Sequence, residues 1–230
     1  MKRYLNILSQ DRTSDIDTTS NFKLNLLPSL KAKQCELIQC LIPNNYYNIT
    51  SSNNGILINS TLYSVTAGCY NLTEFFQAFV NIVPNVSNIV FNDIAGNVTI
   101  TTSVSCTLSF PNYGSINKVL GFIDGYSSTG TSFVSSFSPS LAQYPIYIYI
   151  NELSSNVKLT TNNIASPTFV ITNNVNKNDI IQWYENSQYK QAIDVKCNTE
   201  SLSTLTIILR DQYGNQLQGL AEWSALLMFY

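Results

Sequence analysis

Apolar and polar residues alternate with a period of two along most of the chain, most clearly at residues 146–150, which read Ile-Tyr-Ile-Tyr-Ile. This spacing places Ile146, Ile148 and Ile150 on one face of a strand and Tyr147 and Tyr149 on the other. β-branched and aromatic residues suit a pleated surface. Left at a sheet edge, such a strand would template pairing with other chains. It is therefore predicted inside a sheet, with its isoleucines in a core between two sheets. Its tyrosines are predicted to be covered by residues 70–122 or by a neighbouring subunit. Pro145 has no N–H and fits only at the strand's start. The same alternation predicts strands at 22–26, 34–42, 56–58, 62–65, 88–93, 97–102 and 104–110, and, further on, at 168–172, 179–184, 189–197, 203–210 and 221–229. Residues 125–140, rich in Gly, Ser and Thr, read as a long surface loop. Short strands divided by turn signals such as Pro43-Asn44-Asn45 predict a mainly β chain folded as a sandwich or barrel.

Two stretches break the pattern. Leu72, Phe75, Phe76, Phe79, Val80 and Val83 follow helical spacing, Asn71 can cap the first turn, Glu74 can reach back to it, and Pro84 stops the helix. Residues 115–122 read as a shorter helix, capped by Ser115 and closed near Gly121. Residues 66–125 thus form an inserted helix, β-meander and helix module within a single domain of residues 21–230. Residues 1–20, polar and irregular, are expected to form an extended N-terminal arm.

Composition narrows the setting. Apolar residues make up 44% of the 230, but charged residues only 11%, against roughly 25% in an average globular chain. Asn, Ser and Thr stand in for the missing charge, which suits either secretion or permanent packing among other subunits. A net charge of −2 gives the whole chain no general attraction for nucleic acid or anionic membrane. No apolar run of signal-peptide length follows Lys2-Arg3, and none reaches the length of a membrane span, so neither is expected. The odd set Cys35, Cys40, Cys69, Cys106 and Cys197 does not form a disulfide framework and reads as small buried hydrophobes. Cys35 and Cys40, five apart in one strand, are expected on opposite faces.

The chain has no histidine, which removes Ser-His-Asp and Cys-His catalysis and histidine metal sites. There is no CxxC pair and no phosphate-binding Gly loop; residues 121–125 lack the lysine and the following helix. Asp93, Asp124, Glu152 and Asp211 are the candidates for a glycosidase-type carboxylate pair, although Asp93 and Asp211 fall in turn signals that favour Asp for backbone reasons. Residues 211–215 lack the carboxylates of a calcium loop and read as a hairpin turn. Trp183 with Tyr184, or Trp223, could offer a sugar-stacking platform, the alternative reading being a carbohydrate-binding module for attachment to host cells. Lone tryptophans in strands are more often core or interface anchors. Lys2, Arg3 and Arg12 give a small basic tail, and no nucleic-acid contact is expected beyond it. No catalytic, cofactor or metal residue is assigned, and the chain is expected not to be an enzyme.

Several stretches, in order, resemble the penton (vertex) capsid proteins of virophages and related polinton-like viruses. They are Ser9-Gln10-Asp11-Arg12, the strand from Asn21 to Leu26, and Pro43-Asn44-Asn45-Tyr46-Tyr47-Asn48-Ile49. After these come Gly68-Cys69-Tyr70 with the Phe-rich helix, Lys118-Val119-Leu120-Gly121-Phe122, and Leu209-Arg210-Asp211-Gln212-Tyr213-Gly214-Asn215 with Trp223. The resemblance spans nearly the whole chain. It implies a jelly-roll β-sandwich forming a homopentamer that closes icosahedral vertices. The implied partners are further copies of itself and the major capsid protein of the same virus, in a virion assembled inside the host cell. It transfers no catalytic residue.

Overall fold

The computed structural model describes residues 2–14, 17–141, 145–153, 167–186, 190–195, 201–211 and 214–230. In chain order the elements are β1 (Arg3–Leu8), β2 (Asn21–Leu30), β3 (Gln34–Pro43), β4 (Asn53–Ile58), β5 (Thr61–Ser64), α1 (Leu72–Ile82), β6 (Val86–Asn92), β7 (Asn97–Ser109), β8 (Gly114–Ser115), α2 (Asn117–Leu120) and β9 (Ser127–Val134). They continue with β10 (Ile146–Ile150), β11 (Phe169–Ile171), β12 (Ile180–Tyr184), β13 (Gln191–Asp194), β14 (Leu202–Arg210) and β15 (Ser224–Phe229). The chain divides into two units, residues 1–46 with 143–230, and residues 47–142. The second unit extends on both sides of the 66–125 module expected from the sequence.

The first unit has two antiparallel sheets, β1-β15-β3-β12 with β13 pairing the other half of β3, and β11-β10-β14-β2. Counting β12 and β13 as one interrupted strand, the eight strands among its described residues run 1-8-3-6 in one sheet and 5-4-7-2 in the other. That order is a jelly roll, two interlocked Greek keys. Alternation along each strand sends one set of side chains between the sheets, where Phe22, Leu37, Ile42, Phe169, Ile171, Ile207 and Phe229 share one core. Each such side chain contributes about 1.5–3 kcal/mol by leaving water. β10 lies inside its sheet between β11 and β14, with Ile146, Ile148 and Ile150 in the core. Tyr149 is buried beneath the Arg210 guanidinium, 5.4 Å from the ring centre, and Tyr147 is half-buried. Burial pushes the Tyr149 phenol pKa up, and Arg210 opposes that shift. The outer backbone edge of β11 is covered by Gln191, whose amide accepts from Val170 N and donates to Val170 O, both at 2.8 Å.

Three expectations for this unit change. Residues 1–20 are not an arm throughout, because Arg3–Leu8 is a strand paired along its full length with β15. Ile7 is 1% exposed. The partner lies more than two hundred residues away, so nothing local announces the strand. Cys35 and Cys40 do not face opposite ways: both thiols lie in the core. The register of β15 on β3 shifts between Leu226 and Leu227, and this bulge at Ile38 inserts one residue and reverses the face of everything beyond it. Burial pushes both thiol pKa values well up. The strand expected at 189–197 is described only as β13, and Cys197 lies outside the described residues.

In the second unit β7 is the spine. Its 13 residues pair with β6 and β4 along one side and with β9 along the other. Strands expected separately at 97–102 and 104–110 are therefore one, and the expected loop at 125–140 contains β9. The pattern of β9 is weak because Phe133 is its one large core residue among Ser, Thr and Gly. Helix α1 buries Phe75 and Phe79 among Ile56, Ile100 and Phe133. Its start has the expected reciprocal cap: Asn71 Oδ1 accepts from Glu74 N and Glu74 Oε2 from Asn71 N, each at 2.9 Å. The second helix is shorter than expected, four residues ended by Gly121 at φ +80°. A Cβ on Gly121 would sit 2.0 Å from the Phe137 carbonyl oxygen, so only glycine fits there. This unit carries just four charged residues, Glu74, Asp93, Lys118 and Asp124. Its surface therefore depends on Asn, Ser and Thr for solubility.

Candidate functional site

The first unit has a densely hydrogen-bonded end, where the β1–β2, β14–β15 and β11–β12 connections meet the exit from β3. Residues 9–20 follow β1, whose last pair is Leu8 with Ser224. Ser9, fully buried, accepts from Trp223 N at 2.8 Å and donates from its hydroxyl to the Glu222 carboxylate. Arg12 Nη1 donates to Ser9 O and Glu222 Oε1, both at 2.8 Å. Further along, the Thr19 and Ser20 hydroxyls donate to the carbonyls of Leu220 and Leu217, each at 2.6 Å. The Trp223 indole N–H donates to Thr19 O at 2.7 Å. The Ser9 to Arg12 motif thus clasps the lead-in to β15.

The exit from β3 is held in the same way. Asn44 is 0% exposed; its amide donates to the carbonyls of Val175 at 2.9 Å and Asn176 at 2.8 Å, and its Oδ1 accepts from Asn173. Its backbone N–H bonds Asp179 O, and its carbonyl accepts from Asn178 N. Asn45 Oδ1 accepts from Ala221 N, and the Tyr46 hydroxyl accepts from Asn173. Within the second unit, Asn48 donates to Tyr70 O and accepts from Tyr70 N, while Ile49 bridges Gly68. The three asparagines of the Pro43 to Ile49 motif, Asn44, Asn45 and Asn48, are therefore backbone pins.

Glu222 makes the clasp sensitive to acid. Burial alone would raise its pKa, but the hydrogen bonds from Ser9 and Arg12 and the Arg12 charge outweigh burial and hold it below its ordinary 4.5. A carboxylate depressed in the folded state stabilises above its unfolded pKa, and that contribution is lost as pH falls through the folded value. The side chain is 48% exposed, so solvent screens the effect. Melting temperature is expected to fall as pH drops below about 4.5, and Glu222→Gln is expected to melt lower at neutral pH and to flatten that fall. An unchanged pH profile in the variant would separate Glu222 from acid stability.

Beside the clasp, on the outer face of the five-stranded sheet, Leu8, Leu41, Pro43 and Ile180 line a groove of about 250 Å³ that Gln10, Glu222, Trp223 and Ser224 complete. Tyr4, Ile180 and Tyr184 on the same face are 62%, 50% and 51% exposed. Across the sandwich, the outward positions are Asn21, Lys23 and Asn25 of β2, Thr204, Thr206, Ile208 and Arg210 of β14, and Tyr147 and Tyr149 of β10.

The remaining candidates from the sequence are not brought together. Trp223 is 4% exposed and packs on Phe22 with ring centres 5.8 Å apart. Trp183 packs against the core, while Tyr184 points to the outer face. These three make no common platform for a sugar ring. Asp93 lies in the β6–β7 turn, and Asp124 accepts from Asn117 at 2.8 Å. Glu152 holds the Thr206 N–H and hydroxyl at 2.8 and 2.9 Å, and Asp211 holds Asn215 N at 2.8 Å. Asp124 and Asp211 thus serve their own loops, and Glu152 ties the end of β10 to β14. Among the described residues, no three His, Cys, Asp or Glu gather as a metal-binding group. Arg12, read from sequence as part of a basic tail, is engaged by Glu222. Sequence reading missed the groove altogether, because Leu8, Leu41 and Ile180 come from strands that only the sheet order makes neighbours.

The fold defines the class as an eight-stranded jelly roll carrying an inserted α+β unit. No protein-family model and no curated protein matches the chain. Among solved structures, the chain is similar to the mavirus penton protein, at 12% identity and a TM-score of 0.49, covering 100% of this chain and 99% of that one. It is also similar to a chain in the cryo-EM structure of the Sputnik virophage, at 12% identity and a TM-score of 0.47, covering 99% of this chain and 97% of that one.

Proposed function

We propose that this chain is a structural subunit of an icosahedral virus capsid and that five copies close into a ring at the vertex. The observation that carries the reading is where the family-like motifs fall. Ser9 to Arg12, Pro43 to Tyr46 and Trp223 meet at one end of a jelly roll and pin its connections by named hydrogen bonds. A jelly roll alone does not choose among capsid, lectin and other roles. The charge-poor composition and the exposed Tyr4, Ile180 and Tyr184 on one sheet face favour a subunit that works while packed against others. In this role its other partner is the major capsid protein of the same virus, and its place is the virion shell assembled in the host cell. A ring needs heterologous contacts that close by rotation. Light scattering of the purified chain is expected to give five times the 25.7 kDa subunit mass, with five-fold rings in negative stain. A chain that stays monomeric at every concentration, and is absent from purified particles, would overturn the reading.

A further inference from the structure

Sheet edges are normally guarded against pairing with other chains, and the two sheets of the first unit differ in this respect. In the sheet β11-β10-β14-β2 both edges are guarded. Gln191 caps the backbone of β11. On β2 the Lys23 carbonyl accepts from Thr13 N, its N–H donates to Asp17, and Pro28 has no donor. In the sheet β1-β15-β3-β12 neither end strand has such a guard among the described residues. β1 pairs with β15 in unbroken register from Arg3 to Leu8, with no proline and no bulge. Ser9 N donates to Trp223 O, so the odd residues of β1 bond β15, and the N–H and C=O groups of Tyr4, Asn6 and Leu8 point to the open side. At the other end Asn44 N donates to Asp179 O and Glu185 N to Ile38 O. The odd residues of β12 therefore bond β3, and the backbone groups of Ile180, Gln182 and Tyr184 point outward. No hydrogen bond among the described residues takes up these outward groups.

We propose that β1 of one copy adds to β12 of the next as an antiparallel strand, so that this sheet runs on from subunit to subunit; the contact rests on the capsid reading and names its subunit interface. An open strand edge is matched by another strand, which repeats donors and acceptors at the same spacing. Direction and register select a second copy as that strand. β1 is antiparallel to β15, β15 to β3 and β3 to β12, so β1 and β12 run in opposite directions. A copy turned about an axis along the strands therefore meets the next in antiparallel, through two different edges, as a closing ring requires. In the register that overlaps the two strands fully, Tyr4 stands opposite Tyr184, Asn6 opposite Gln182 and Leu8 opposite Ile180 on the outer face. Aromatic faces aromatic, amide faces amide and aliphatic faces aliphatic, and such cross-strand pairs stabilise a sheet. On the inner face Leu5 meets Trp183 and Ile7 meets Ile181. Arg3 comes opposite Glu185, whose carboxylate lies 3.0 Å from Lys190, a lysine it shares with Glu36 at 3.7 Å. The same contact accounts for the exposure of Tyr4, Ile180 and Tyr184 and for half-buried Leu5 and Trp183 at the two margins of the core, since strand addition places a neighbour beside each of them.

The test is a double variant, Asn6→Cys with Gln182→Cys, both at exposed positions, oxidised mildly and run without reductant beside each single variant and the unaltered chain. Opposed residues of a bonded antiparallel pair have Cα atoms about 5.5 Å apart, within disulfide reach. A ladder ending in a closed five-subunit species, seen only in the double variant, is the expected result. A dimer from Asn6→Cys alone would mean that β1 pairs with β1, and would overturn the contact. Five-fold rings without cross-links in the double variant would also overturn it and leave the capsid reading standing. Monomers under all conditions would overturn both. A second variant, Asn6→Pro, removes an N–H that points away from β15, a place where an edge strand tolerates proline. It is expected to keep the circular dichroism of the free subunit while raising the concentration needed for assembly at least about tenfold, since a buried acceptor on the neighbour loses its donor. Asn6→Ala, which keeps that N–H, is expected to assemble as the unaltered chain does. Unchanged assembly of Asn6→Pro would overturn the contact.

Discussion

Trp223→Ala is expected to destabilise the jelly roll by about 4 kcal/mol, within the range for deleting a large buried aromatic. Three losses add. The indole leaves a cavity against Phe22, 5.8 Å away centre to centre. The Thr19 carbonyl loses the indole N–H that reaches it at 2.7 Å. The clasp from Ser9 and Arg12 then rests on a β15 lead-in that has lost its anchor. Both tryptophans lie in this unit, at 183 and 223, so fluorescence of the remaining Trp183 follows its denaturation without signal from the inserted unit. Tyr4→Ala, at a position 62% exposed, is the control and should stay within about 0.5 kcal/mol. A Trp223→Ala loss no larger than that of Tyr4→Ala would mean that Trp223 does not anchor the fold.

Asn44→Ala should cost about 3 kcal/mol although it removes only a few atoms. Asn44 is 0% exposed, and its amide serves two carbonyls and one further amide. Alanine leaves buried acceptors on Val175 and Asn176 without their donor, and each unsatisfied buried group costs about 1–3 kcal/mol. Asn44→Asp, which cannot donate to either carbonyl, should be at least as damaging. Asn45→Ala loses one half-buried bond to Ala221 N and should cost about 1 kcal/mol. Tryptophan fluorescence during urea denaturation separates the three variants. Equal effects at 44 and 45 would show that Asn44 is an ordinary turn residue.

The contrast between those neighbours shows how much of the site could be read from the chain. Pro43-Asn44-Asn45 is visible as a turn because Pro and Asn favour turns for local backbone reasons. That Asn44 is a buried hub follows only from the β11–β12 connection, more than a hundred residues later, arriving beside it. The same holds for Ser9, whose partners Glu222 and Trp223 lie at the far end of the chain. Sequence left Trp223 a sugar-stacking role beside the commoner one of core anchor, because its face depends on the strand it enters.

Period-two alternation determined that the chain is mainly β. It also determined which face of β10 fills the core, and helical spacing with Asn71 and Glu74 determined where α1 begins. These are local properties, set by side-chain direction and backbone capping within a few residues. Tertiary structure alone decided that residues 3–8 are a strand, that residues 127–134 complete a sheet, and that Cys35 and Cys40 share a face. In each case the deciding contact comes from a distant segment: β15 for the first, β7 for the second, and a shift of β15 against β3 for the third. The groove belongs to the same group, since a surface exists only once sheet order has chosen which strands are neighbours.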